Sequence, residues 1–333
     1  MENQIILYNN AEGKVTIKVT YLEDTFWLPQ KAIATLFGVE IPAISKHLAN
    51  IYDTGELVKE ATISILETVQ SEGNREVKRR LEFYNLDAII AVGYRVNSKQ
   101  ATQFRIWATQ TLKEYITKGF VLNDDLLKNG KPFGKDYFDE LLERIREIRA
   151  SERRFYQKLG DIFEQCSADY NAKAEECQLF YKMVQNKLHF AVTGQTAAEI
   201  IASRADRDKD YMGLTSWKNS PTGKILKSDT KIAKNYLSEE EIGNLNLLVS
   251  AYLDLAEFQA RRNQVMMMKD WLERTDKFLE SNSLELLPNA GKISHEEAVE
   301  KAAEEYEHFR IKQDKTYLSD LDKEIKRIKS KEQ

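Results

Sequence analysis

The chain is poor in the residues that hold metals. Its 333 residues include two cysteines, Cys166 and Cys177, and four histidines, His47, His189, His295 and His308, scattered without zinc-site spacing. That excludes the common structural zinc modules, and no metal site is expected. The cysteines lie eleven residues apart in a stretch that reads as helix, beyond disulfide reach within one helix. This usage suits a reducing cytoplasm. Five prolines and 14 glycines are few, which favours helices over a β-sandwich. Neither common Gly-rich phosphate loop occurs, nor His-Glu-x-x-His, nor a Gly-x-Ser-x-Gly elbow. Also missing is the motif of AMP-transferring enzymes, His and an acidic residue followed by Gly-Asn-Gly-Arg. With no recognisable catalytic motif, the sequence does not favour an enzyme, and no cofactor is expected. No apolar run approaches the roughly 18 residues of a membrane span, and the start, Met1-Glu2-Asn3-Gln4, is not a signal peptide. The expectation is a cytoplasmic protein with no membrane partner.

An excess of positive charge is also missing. Residues 1–120 carry 14 Lys+Arg and 14 Asp+Glu, so the net charge of −4 falls entirely on 121–333. Any contact with a polyanion must come from a local patch within a neutral domain.

The most informative stretch is 30–48, Gln30 to Leu48. Ala34 offers a small side chain where two helices approach, and Gly38 suits a left-handed turn at the end of the first. Pro42 suits the first turn of a second helix, and Ile44 and Leu48 share its inner face. The pattern reads as a helix-turn-helix. Residues 4–8 and 15–21 read as two short strands before it, and Phe26-Trp27-Leu28 as a third apolar run. After it, residues 61–69 and 75–84 alternate as strands around the turn Ser71-Glu72-Gly73-Asn74. A hairpin there has the layout of a wing, and Arg75, Lys78, Arg79 and Arg80 on it would contact phosphates; the competing reading is a solvated face salted with Glu76 and Glu82. Leu86–Tyr94 reads as a helix stopped near Gly93. The next helix, capped at Asn97-Ser98, runs to Lys118 with Phe104, Trp107, Ala108, Leu112 and Tyr115 expected in the core.

The sequence thus predicts an α+β fold, mainly α: a small winged helix-turn-helix-like N-terminal domain followed by a long-helix, all-α C-terminal body. The divisions are 1–122 for the first domain, a linker over 123–137, one long packing or coiled-coil helix over 138–188, a helical domain over 189–311 and a charged tail over 312–333. In the last part, Ser238 with Glu241 and Ser294 with Glu297 are capping-box pairs, and one helix from about 238 is expected to continue through Trp271 to Leu279. The irregular polar segment 189–218 holds His189, Thr193, Thr196, Glu199, Arg204, Asp206, Arg207, Asp208 and Lys218. It is either an N-capped helix with an ordered loop or a site.

Longer blocks carry a resemblance. They are Phe26–Gln30 with the helix-turn-helix; Tyr84-Asn85-Leu86-Asp87-Ala88-Ile89-Ile90-Ala91-Val92-Gly93-Tyr94-Arg95-Val96; Gln103–Ala108; Arg146–Tyr156; Gln185–His189; and Thr196–Glu199. Together the chain resembles the RhuM family of bacterial virulence-associated, prophage- or island-linked proteins, over nearly its whole length. Tyr84–Leu112 is also similar to N-terminal domains of phage antirepressor-like proteins. The resemblance implies DNA binding and a mobile-element setting, and supplies no catalytic residues. The expected function is therefore that of a transcriptional regulator or antirepressor-like protein whose partner is double-stranded DNA. The helix 42–51 would enter the major groove with Ser45, Lys46, His47 and Asn50, beside the 75–80 wing. One recognition helix per chain calls for two half-sites, so a homo-oligomer is expected, with the 138–185 seam as one way to form it. The alternative is an effector or toxin-like enzyme with a site in 189–260.

Overall fold

A computed structural model describes residues 2–10, 13–22, 25–72, 75–130, 136–171, 175–262 and 265–317; at 2–10, 13–18, 68–72, 75–77, 152 and 176 it describes the backbone alone. The chain forms two compact units, Met1–Asp139 and Glu140–Gln333. The fold is α+β and mainly α, with every described strand in the first unit.

The first unit runs β1 (Glu2–Asn10), β2 (Gly13–Leu22), β3 (Thr25–Pro29), α1 (Gln30–Phe37), α2 (Ile41–Asp53), α3 (Lys59–Thr62), β4 (Ile63–Glu72), β5 (Arg75–Tyr84), α4 (Leu86–Arg95), α5 (Lys99–Lys118) and α6 (Asp124–Asn129). Its strands form one antiparallel sheet in the order β1-β2-β3-β5-β4. β3 is the hinge of this order, since it pairs β2 on one side and, through Leu28 and Pro29, β5 on the other. The core packs Leu28 against Ile33 and Phe37 of α1, Ile44, Leu48 and Ile51 of α2, Ile89 and Val92 of α4, and Phe104 of α5. Each such side chain contributes roughly 1.5–3 kcal/mol by leaving water.

Caps fix the helix ends. The Asn85 carboxamide oxygen accepts from the Ala88 N–H at 3.1 Å. The Ser98 hydroxyl oxygen accepts from Ala101 N–H at 3.0 Å, and the hydroxyl donates to the Phe37 carbonyl at 2.6 Å, tying the start of α5 to the end of α1. Three expectations fail here. Gly93 does not stop α4 but lies buried inside it: a Cβ there would sit 2.7 Å from Phe37 and 2.8 Å from Phe104, so glycine lets α4 approach closely. Leu112 and Tyr115 are exposed rather than core, because α5 outruns the body it packs on. The stretch 123–137 is not all linker, since Asn123 caps Leu126 N–H and α6 follows.

The second unit takes up α7 (Phe138–Arg149, which spans the boundary), α8 (Glu152–Cys166), α9 (Glu175–Thr193), α10 (Ala197–Arg204), α11 (Glu239–Arg261), α12 (Met268–Ser281) and α13 (His295–Thr316). Short 3-10 turns at Asp210–Gly213, Asp229–Lys231 and Ala233–Tyr236 link α10 to α11. The expected long helix over 138–188 is therefore three helices. Ser151 (φ −65°, ψ 133°) and Ser167 (φ −112°, ψ 120°) are extended, and the backbone at the second break hydrogen-bonds elsewhere: Met266 N–H donates to Cys166 O at 2.9 Å and Ala168 N–H to Met266 O at 3.2 Å. The break turns α9 back so that Phe180 meets Phe163 edge-on at 5.1 Å. The apolar seam of α8, Phe155, Leu159, Ile162 and Phe163, is buried in this unit's own core with Tyr252 and Trp271, so it is not a coiled-coil surface. Likewise α11 does not run on to Leu279; the chain leaves the helix at Arg262 and restarts at Met268. Both cysteines are free and buried, on α8 and α9. Of the tail, α13 takes residues up to Thr316, and 318–333 lie outside the described residues.

Candidate nucleic-acid interface

The site is built on α2. Gly38 ends α1 in the left-handed region (φ 62°), and the Val39 N–H closes the turn on the Ala34 carbonyl at 3.0 Å. Glu40 opens α2 from an extended backbone, and Pro42 lies in its first turn. The helical period then separates two faces. Ile44, Leu48 and Ile51 are buried, whereas Ser45, Lys46, Ala49 and Asn50 form an exposed stripe, with His47 half-buried at its margin. Among the described residues, nothing hydrogen-bonds or ion-pairs with the side chains of Lys46 or Asn50.

Ser45 is different, because it is engaged within the protein. Its hydroxyl donates to Gln30 Oε1 at 2.6 Å. Gln30 Nε2 donates to the Tyr84 hydroxyl at 2.7 Å, and that hydroxyl donates to Glu82 Oε2 at 2.7 Å. Burial, then the bond to the Glu82 carboxylate, push the Tyr84 phenol up to about 12, so it stays a neutral donor. This chain fixes α2 to the start of α1 and to the base of the β4–β5 hairpin. Gln30 and Tyr84 were not among the expected site residues, and because they are 54 positions apart no local pattern joins them.

The hairpin pairs in continuous register from Ile63 with Tyr84 to Glu72 with Arg75. Lys78, Arg79 and Arg80 are exposed; Arg75 is placed by its backbone only, its side chain lying outside what is described. Strand alternation divides the basic run: Lys78 and Arg80 share the Glu82 face, and Arg79 lies on the Leu81 face. Arg80 Nε also meets Glu67 Oε1 at 3.2 Å across the strands, a pair exposed on both sides and worth little. The charge offered by α2 and the hairpin is therefore modest and spread over two faces. Near α2, Arg95 is paired with Glu56, while Glu40 puts a carboxylate at the amino end of the helix.

In the second unit, the polar residues of 189–218 hold structure and do not converge. Thr196 and Glu199 form a reciprocal capping box at the start of α10, and the other Glu199 oxygen accepts from the Lys292 N–H at 2.8 Å. The Thr193 hydroxyl donates to the His189 carbonyl at 2.9 Å. Arg204 clamps Glu241 with two bonds of 2.6 and 2.7 Å, and this arginine holds the Glu241 carboxyl down at about 2. Arg207 grips Glu305 in the same manner, and Asp208 pairs with Lys312. Asp206 accepts from the Asp208 N–H, and Lys218 is exposed. His189 is buried on α9; its Nδ1 has no partner among the described residues, and burial with nearby Lys234 pushes the imidazole down to about 4. A groove of about 430 Å³ lies between 207–211, 221–225 and the end of α13, away from His189, and its Arg207, Asp208 and Lys312 are already paired. Among the described residues no group of three His, Cys, Asp or Glu is placed to hold a metal ion, and no helix is long and apolar enough to cross a membrane.

Fold and site together define an α+β protein in which a small sheet-and-helix unit with an outward polar helix precedes a helical body. The chain belongs to the virulence protein RhuM family, whose model matches residues 61–317. The match takes in the hairpin, α4, α5 and the helical body; α1 and α2 precede it. No curated protein matches the chain.

Proposed function

We propose that this chain is a DNA-binding regulator or antirepressor-like protein of a virulence island or other mobile element, working on double-stranded DNA in the cytoplasm. The observation that carries the reading is the two-faced α2, with Ile44, Leu48 and Ile51 anchored and Lys46 and Asn50 presented outward without partners among the described residues. In this reading α1 and α2 are a helix-turn-helix and α2 enters the major groove. Asn50 has the bidentate carboxamide that suits adenine, and Lys46 the point charge that suits phosphate or guanine. Ser45, engaged with Gln30, holds the helix at its angle, and Lys78, Arg79 and Arg80 flank the groove along the backbone. Few cations contribute, so binding depends weakly on salt for a DNA reader.

The test is duplex binding by full-length protein, using anisotropy on a pool of random duplexes and then on the selected sequence, across a salt series. Lys46→Ala is expected to weaken binding and to lower the slope of log K against log salt by about one. Arg79→Ala/Arg80→Ala is expected to lower it further, uniformly across sequences. If both variants keep the wild-type affinity and slope, this docking is wrong.

A further inference from the structure

We infer, resting on the DNA-binding reading of α2, that Ser45 meets the major groove as a hydrogen-bond acceptor only. It then reads the exocyclic amine of a cytosine or an adenine, and neither a phosphate nor a base carbonyl. Ser45 becomes a specificity-determining residue, and Gln30, Tyr84 and Glu82 behind it are positioning residues.

The polarity is set at the far end of the chain that runs from Ser45 to Glu82. A carboxylate only accepts. Glu82 Oε2 lies 2.7 Å from the Tyr84 oxygen, so the single phenol hydrogen goes to Glu82. With that hydrogen spent, the Tyr84 oxygen accepts from Gln30 at 2.7 Å, which turns the amide Nε2 toward it. The other end of the carboxamide, Oε1, therefore faces Ser45, and a carbonyl oxygen also only accepts. The Ser45 hydrogen is drawn inward across 2.6 Å. The second acceptor within its reach, the Ile41 carbonyl at 3.2 Å, also belongs to the protein, one turn back on α2. Each bond in such a run polarises the next, and here all point toward the carboxylate.

A serine hydroxyl by itself donates or accepts, so it does not choose between base edges. Ser45 has lost that freedom. Its side chain is exposed, its hydrogen is held inside, and nothing among the described residues donates to its oxygen. What it offers outward is lone pairs. In the major groove the donors that suit them are the N4 amine of cytosine and the N6 amine of adenine. Guanine O6 and N7, thymine O4 and the phosphate oxygens have lone pairs of their own and no hydrogen to give.

Every base pair carries one amine, so the test deletes the amine and leaves the pair in place. Full-length protein is titrated against its selected duplex and against copies in which single cytosines are replaced by 2-pyrimidinone, or single adenines by purine. At one position the wild type is expected to lose about tenfold in affinity beyond the loss shown by Ser45→Ala. Whether that position holds cytosine or adenine identifies the amine. Two variants of Gln30 then set the polarity by choice. In Gln30→Glu the new carboxylate only accepts, so Ser45 still donates inward and the tenfold discrimination is kept. In Gln30→Lys the ammonium only donates, so Ser45 must accept from it, and the discrimination falls to that of Ser45→Ala. Each value is a ratio between two duplexes for one protein, so changes in stability or net charge cancel. Failure to bind any duplex selectively overturns the DNA reading together with this one. Selective binding overturns the polarity alone if no position shows the amine effect, if Gln30→Glu loses it, or if Gln30→Lys keeps it.

Discussion

The outward face of α2 and the segment 189–218 look alike in composition, since both are short, polar and set among apolar helices. Their side chains are occupied very differently. On α2, Lys46 and Asn50 face outward with no partner among the described residues, and Ser45 alone is held, by Gln30. In 189–218, Thr193, Thr196, Glu199, Arg204, Arg207 and Asp208 each bond to a neighbouring element or cap a helix. Polarity in the sequence is the same in both places; what separates a surface open to a ligand from a scaffold is whether its donors and acceptors already have protein partners.

That contrast can be broken most sharply at His189. Its folded pKa of about 4 lies below the 6.5 of an unperturbed imidazole, so the unfolded chain takes up a proton in the window between them and the folded chain does not. Stability is fully present above pH 6.5 and is lost as pH falls toward 4, by about 3 kcal/mol for this one group. Urea unfolding of His189→Leu at pH 7 and pH 4 should show that much less acid destabilisation than the wild type; parallel losses would mean that the imidazole is not buried and neutral. Next in size is Arg204→Ala, which strips Glu241 of both guanidinium bonds in a three-quarters buried pair. It should cost about 2 kcal/mol at neutral pH, read as a lower melting temperature, and a cost within error of zero would place this pair with the ordinary surface pairs. A smaller effect belongs to Ser45→Ala, which cuts the tie to Gln30 and should cost about 1 kcal/mol or less. At the bottom is Lys46→Ala, with no change in melting at all. If Lys46 proved to stabilise the fold as Arg204 does, the distinction between the open face and the scaffold would fail.

Much of the fold was legible because it rests on short-range chemistry. Gly38, Pro42 and the Ile44–Leu48 spacing mark the ends and inner face of α2, and Ser238 with Glu241 and Ser294 with Glu297 form the caps their spacing announced. What was illegible depends on what lies across a gap. Periodicity shows that Leu112 and Tyr115 continue an apolar stripe but not that the cover thins at Trp107 and Ala108 and is gone at Leu112. The apolar rhythm survives the second break, because each of α8 and α9 turns an apolar face to the same core, whereas on α7 Phe138, Ile145 and Ile148 are exposed. Gly93 looks like a stop signal in one dimension and is a contact surface in three. At the site, Lys46 and Asn50 could be picked out by helical phase, whereas the Gln30–Tyr84 link needed the sheet order that brings β5 beside β3.

The link from Ser45 to Glu82 sits at the root of the hairpin, where Tyr84 pairs with Ile63, and nine further registered pairs lead from there to the tip. Strand parity makes the root and the tip unequal in what they tolerate. Lengthening both strands equally at the tip leaves Tyr84 on its face and α2 at its angle. A one-residue slip between the strands at the root turns Tyr84 to the opposite side and frees the helix. The hairpin can thus vary in reach among related chains while the helix beside it keeps one orientation.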